Sequence, residues 1–85
     1  MADIQSERLE FLNAMIAAGS AMESLVTEIA SSFDPEIDVI RRVLGCSEQA
    51  ARIVFNAPLR TLVSKEAQTR YAEEVAELGL DRFNP

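Results

Sequence analysis

The sequence predicts an all-α fold: a single small helical domain of about four main helices with a helix–Pro–helix elbow. Three observations predict it. Apolar residues recur at helical spacing along the first third of the chain, helix start and stop residues punctuate the rest, and the composition suits a packed helical core. The chain has 85 residues, 48% of them apolar, and a mean hydropathy of +0.04. That is one domain, residues 1–85, with enough apolar surface to fold.

The first helix is expected from about Ser6 to about Ser31. One heptad series on it runs through Leu9, Leu12, Ile16, Gly19 and Val26, interrupted by Glu23. A second runs through Phe11, Met15, Ala18, Met22, Leu25 and Ile29. Together they make an apolar arc wider than one coiled-coil seam requires, so one half is free for a second copy. Gly19 and Ser20 lie mid-helix, where glycine costs about 1 kcal/mol relative to alanine. A close helix crossing, a mild kink and a solvent-facing position are all consistent with them.

The second helix is expected to start with Asp34 as N-cap and Pro35 in its first turn, with Glu36 favoured near the positive end of the dipole. Ile37, Ile40, Val43 and Leu44 form its apolar stripe, and Gly45 supplies the left-handed turn that ends it. Ser47 caps a third helix that should stop near Asn56, because Pro58 disfavours helical geometry at Ala57. Pro58 in turn suits the first turn of the next segment, which carries Leu59, Leu62 and Val63 inward. Ser64 then caps a last helix through Ala67, Tyr71, Val75 and Leu78. Gly79 should end it, with Leu80 folding back on Val75, residues 81–85 forming a loose tail and Phe83 able to tuck in.

The stretch from Gly45 to Glu66 has a pattern of its own. Gly45, Ser47, Glu48, Ala51, Val54, Phe55, Asn56, Pro58, Leu59, Arg60, Leu62 and Glu66 resemble, without gaps, a segment of the A subunit of bacterial type IIA topoisomerases, DNA gyrase and topoisomerase IV. Upstream, Arg8, Leu12, Ala14, Met15, Ile16, Ala18, Met22, Glu23, Leu25, Val26 and Ile29 are similar to the helix that precedes that segment in the family. The resemblance covers about Arg8 to about Leu78. It implies the globular tip of a coiled coil, where two A subunits meet at the exit gate (C-gate) for transported DNA. The family's cleaving tyrosine and metal-binding domain lie outside the matching stretch. Tyr71 falls on the return helix and is not expected to be catalytic. The chain departs from the family pattern at Cys46, where the family has leucine, and at Ser64 and Lys65, which replace a more apolar segment.

Composition removes several chemistries. There is no histidine and one cysteine, Cys46, so histidine-based acid–base work and Cys/His metal clusters are not expected. No glycine-rich phosphate loop occurs among three separated glycines. Glu73, Glu74 and Glu77 read as a solvated helix face. Cys46 precedes a helix N-terminus, which can lower a thiol pKa, but a buried apolar thiol is the preferred reading. No catalytic residue, cofactor or metal is expected. Nor is a membrane span, and a cytoplasmic protein is the simple reading.

The net charge of −6 argues against direct nucleic-acid binding, which depends on neutralising phosphates. The charge is unevenly spread. Six cations against Glu48 and Glu66 leave an excess of +4 between residues 41 and 70, and both flanks are acidic. That distribution fits either charge-paired self-assembly or an ordinary mixed surface. A helix–turn–helix reading across Gly45 would leave only Gln49, Arg52 and Asn56 on its recognition helix to donate to DNA.

The expectation is therefore a non-catalytic dimerisation module similar to the exit-gate tip. It would form a homodimer, with a topoisomerase A subunit as a further candidate partner. The interface is expected to use Met15, Met22, Phe55, Ala57, Pro58, Leu59 and Leu62. The alternatives are a small DNA-binding regulator and an accessory subunit of an unrelated complex.

Overall fold

The computed structural model describes residues 4–83, with side chains for residues 7–78, and all the regular structure described is helical. Six helices follow one another: α1 (Ile4–Ser20), α2 (Met22–Ser31), α3 (Glu36–Leu44), α4 (Glu48–Asn56), α5 (Leu59–Val63) and α6 (Lys65–Phe83). The count exceeds the expected four main helices for two reasons. The first helix is interrupted at Ala21, whose φ and ψ of −107° and 20° are not helical. The second arm of the elbow is also a helix of its own, five residues long.

The break at Ala21 leaves the i→i−4 hydrogen-bond ladder unbroken. Ala21 still donates to Ala17 at 2.8 Å and accepts from Leu25 at 2.9 Å, so α2 continues the course of α1 at an altered angle. This lets the two segments serve different neighbours, α1 packing on α4, α5 and α6 while α2 packs mainly on α3. Arg8 meets Glu74 and Met15 meets Gln68, so α1 and α6 run antiparallel.

Most of the punctuation residues act as expected. Gly45 adopts φ 65° and ψ 36°, and its N–H donates to the Arg41 carbonyl. Ser47 Oγ accepts from Ala50 N at 3.2 Å, and Ser64 Oγ accepts from Ala67 N at 3.1 Å. Helix α4 ends at Asn56 with Ala57 extended (ψ 139°), as the following proline demands.

Three expectations are corrected. Asp34 does not cap α3. Pro35 is the cap residue, its carbonyl accepting from Asp38 and Val39, while the Asp34 carboxylate pairs with Arg42 at 3.4 Å. Pro58 precedes α5 with an extended ψ of 140°, and its carbonyl accepts from the Thr61 amide and hydroxyl. Gly79 does not end the last helix, since α6 continues through it to Phe83, against the loose tail expected from residue 81. A glycine stops a helix only where the chain turns into the left-handed region, and a helix that packs on a partner can run past one at a modest cost. The expected Leu80–Val75 contact and the placement of the Phe83 side chain lie outside the described residues.

The molecule is a thin slab, 47 × 32 × 16 Å, with a radius of gyration of 13.6 Å. A compact chain of this length would have a radius of about 12 Å. A slab 16 Å thick holds fewer than two helix diameters, each about 10–12 Å, so few residues can be enclosed. The core is accordingly built of small and medium side chains: Leu12, Ala14, Met15 and Ala18 from α1, Leu25 from α2, Val39 and Ile40 from α3, Ala50, Ala51 and Val54 from α4, and Leu62 from α5. Among the described residues no polar or charged side chain is buried.

Candidate interaction surface

The elbow is the feature the sequence nominates, and its geometry follows from local chemistry. Asn56 ends α4, Ala57 and Pro58 are extended, and α5 begins at Leu59. Helix α5 presents two faces. Leu62 turns inward as expected and is 5% exposed, but Leu59 and Val63, also expected to point inward, are 63% and 46% exposed, because a five-residue helix offers too narrow a face to bury all three. Phe55, near the end of α4, is half-exposed. Three large apolar side chains within nine residues thus face solvent on the two arms of one elbow.

The seven expected interface residues divide. Phe55, Pro58 and Leu59 are exposed and Ala57 is half-buried, so the elbow itself is available. Met15 and Leu62 are fully committed to the chain's own core, and Met22 packs against it. The spare stripe expected on the first helix is also consumed internally, because α1 packs on α4, α5 and α6. An apolar arc wide enough for self and partner is equally wide enough for two sets of the chain's own helices, and the antiparallel return of α6 decides the matter. Of the outer stripe only Val26, on α2, remains largely exposed.

Beside the elbow lies a shallow, open groove. Phe11 and Met15 of α1, Ile53 of α4, Ala57 and Pro58 of the elbow, and Tyr71 of α6 make its apolar lining, with Arg52, Asn56 and Thr61 as its polar margin. Ile53 and Phe55 serve different surfaces, since two residues along a helix are about 200° apart. The structure therefore joins Ala57 and Pro58 to Phe11, from the first helix's apolar stripe, and to Ile53 and Tyr71, which the sequence reading had not placed at an interface. Phe33 was missed as well. It stands fully in solvent between α2 and α3, and a phenylalanine held between Ser32 and Asp34–Pro35 was a signal that could have flagged it.

Polar groups around this surface are mostly paired locally. Arg52 meets Glu48 at 3.5 Å within α4, and Asn56 Nδ2 donates to the Arg52 carbonyl at 2.8 Å. Ser47 Oγ also donates to the Glu10 carboxylate, placing a negative charge at the N-terminus of α4. At the far end of the α1–α6 pair, Arg8 binds Glu74 through two contacts, 2.5 and 3.0 Å, with its guanidinium 5.2 Å from the Phe11 ring centre. The Arg8 hydrogen bond lowers the Glu74 pKa, and Glu74 raises that of Arg8. A carboxylate whose pKa is depressed on folding stabilises above its unfolded value and stops doing so as pH falls through the folded one. Glu74→Gln should therefore melt slightly below the wild type at neutral pH and level with it in acid. A difference that persisted in acid would show that the pair is not its source.

Cys46 is half-buried against the core, and desolvation raises its pKa. The thiol thus packs against the core but is less enclosed than the buried thiol expected, and its raised pKa does not mark it as an activated nucleophile. Among the described residues no group of three or more His, Cys, Asp or Glu side chains could hold a metal ion, and no helix is long and apolar enough to cross a membrane. Tyr71 is half-buried on α6.

No protein-family model, curated protein or solved structure matched the chain.

Proposed function

We propose that this chain is a non-catalytic helical interaction module that self-associates through its elbow in the manner of a topoisomerase exit-gate tip. The observation that carries the reading is the exposure of Phe55, Leu59 and Val63 on the two arms of the elbow while Leu62 anchors it from within. The antiparallel α1–α6 pair, with α2–α5 connecting its two helices in chain order, supports it too, since a coiled-coil tip has that layout. The sequence resemblance between Arg8 and Leu78 supplies the family, and with it a topoisomerase A subunit as candidate partner. Arg52 and Asn56 of α4 are engaged within their own helix and Glu10 stands at its N-terminus, which favours the protein-interaction reading over a DNA-binding one.

Solution mass tests this, measured by sedimentation or light scattering at micromolar concentration. The wild type is expected to be a dimer, and Leu59→Ser, a change at an exposed site, is expected to shift it toward monomer without altering its helicity. A mixed species with a topoisomerase A subunit would identify a modulator of that enzyme. A self-dimer indifferent to the A subunit would identify a self-contained structural module. A wild type that stays monomeric in both experiments would sink the proposal.

A further inference from the structure

The side chains that fill the core are unevenly supplied. Of the eleven buried apolar residues, ten come from α1–α4 and one, Leu62, from α5. Helix α6 supplies none among its described side chains, although it is the longest helix in the chain. It rests on α1 and α5 through half-buried residues, Gln68, Tyr71 and Val75 among them. Residues 59–78 are therefore laid on the surface of a slab that α1–α4 build among themselves.

The polar links divide in the same way. Among the described residues, every hydrogen bond between residues 58–78 and the rest of the chain ends on α1. Gln68 Nε2 donates to the Met15 carbonyl, and Arg8 donates to Glu74. The two units meet in sequence at the Ala57–Pro58 bond, and each closes its own backbone there. Ala57 N donates back to the Val54 carbonyl, and the Pro58 carbonyl accepts from the Thr61 amide. Both joint residues are extended, with ψ 139° and 140°, and Pro58 has no N–H to lose. A swing at this joint breaks no local hydrogen bond.

We infer that α5 and α6 form a flap that opens off α1 as one unit, hinged at Ala57 and Pro58, while α1–α4 stay folded. Hinges are commonly a few residues at the ends of elements, and units that open locally are those with few buried apolar contacts. Helix α5 moves with α6 because five residues do not sustain a helix alone, and because Gln68 Nε2 also donates to the Leu62 carbonyl.

The hinge divides the elbow. Phe55 lies on the slab side of it, and Leu59 and Val63 lie on the flap side. Only the closed flap therefore holds these three exposed side chains in one arrangement. Opening separates them and bares Leu62 together with the α1 surface around Met15 and Gly19 on which it sits. The position of the flap thus sets which apolar surface the chain presents. The flap opens whether or not the elbow mediates self-association.

Native-state hydrogen exchange of the full chain in increasing, sub-denaturing urea tests this. Amides of residues 59–78 are expected to exchange together, about tenfold or more faster than the slowest amides of α3 and α4. Their urea dependence is expected to be the weaker, because less surface is exposed on opening. Val39→Ala truncates a fully buried side chain of α3. It is expected to speed the slowest α3 and α4 amides several-fold and to leave residues 59–78 unchanged, since the flap opens with α3 intact. Arg42→Ala, which removes the exposed pairs with Glu28 and Asp34, repeats that comparison without touching the core. Gln68→Ala is expected to speed residues 59–78 several-fold. Residues 59–78 that exchange no faster than α3 and α4, or that speed up equally with them in Val39→Ala, would overturn the inference, because they would open only when the whole chain unfolds. Neither readout depends on solution mass, so the flap and the elbow dimer fail separately.

Discussion

Gly19→Ala is expected to destabilise this protein, although alanine is the better helix former by about 1 kcal/mol. A methyl at residue 19 would lie under 3.0 Å from the Leu62 carbonyl oxygen and from the Gln68 amide. One of those is backbone and cannot swing aside. The same amide ties three helices together, Gln68 Nε2 donating to the Met15 carbonyl of α1 at 3.2 Å and to the Leu62 carbonyl of α5 at 2.5 Å. The Leu62 carbonyl lies in the last turn of α5, where no intrahelical donor reaches it. The added methyl displaces the amide and forces α1 away from α5 and α6. Overpacking of this kind costs about 1–3 kcal/mol, and each hydrogen bond lost about 0.5–1.5 kcal/mol more. After the gain in propensity, a net loss of about 2 kcal/mol is expected. In a domain of this size that lowers Tm by about 10 °C, which thermal melts followed by circular dichroism would read. In a Gln68→Ala background part of the obstruction is already gone, so Gly19→Ala should cost less there. An alanine variant as stable as the wild type would mean that the helices do not cross closely at Gly19.

Leu12→Ala should be at least as damaging. Leu12 is 0% exposed and, with Val39, is one of the two largest fully buried side chains. Truncating a buried leucine costs about 2–5 kcal/mol through lost transfer energy and the cavity left behind. A thin slab has few other large side chains to absorb the loss, and small domains hold only about 5–15 kcal/mol in total. Partial unfolding at physiological temperature is the expected result, visible as a broad early melt. Val26→Ala is the matched control, since Val26 is 59% exposed and surface changes stay within about 0.5 kcal/mol. Equal melting of the two variants would contradict the burial of Leu12.

Residue by residue, legibility follows the range of the interaction. Ser47 and Ser64 were readable as caps because a hydroxyl reaches an amide three residues on without help from the fold. Gly45 and Ala57 were readable for the same reason, one by its left-handed turn and the other by the proline that follows. Asp34 falls one residue short of the cap position, which Pro35 takes, and its carboxylate instead pairs with Arg42, eight residues away. Gly19 left three readings open, and contact with residues more than forty positions away selected one of them.

The candidate surface divides the same way. Phe55 and Leu59 are exposed, although Leu59 and Val63 were read as pointing inward, while Met15 and Leu62 carry the same apolar chemistry and are buried. Periodicity reports that a face is apolar without reporting what will cover it. By itself the sequence determined the helical class, most of the helix ends and the elbow, all of which depend on contacts within a turn or so of chain. Only the tertiary structure decided that α6 returns antiparallel along α1 and consumes its spare stripe, that Phe11, Ile53 and Tyr71 converge on one groove, and that Phe33 is left in solvent. Those outcomes depend on competition between distant apolar surfaces for the same partner, and local spacing carries no record of which one wins.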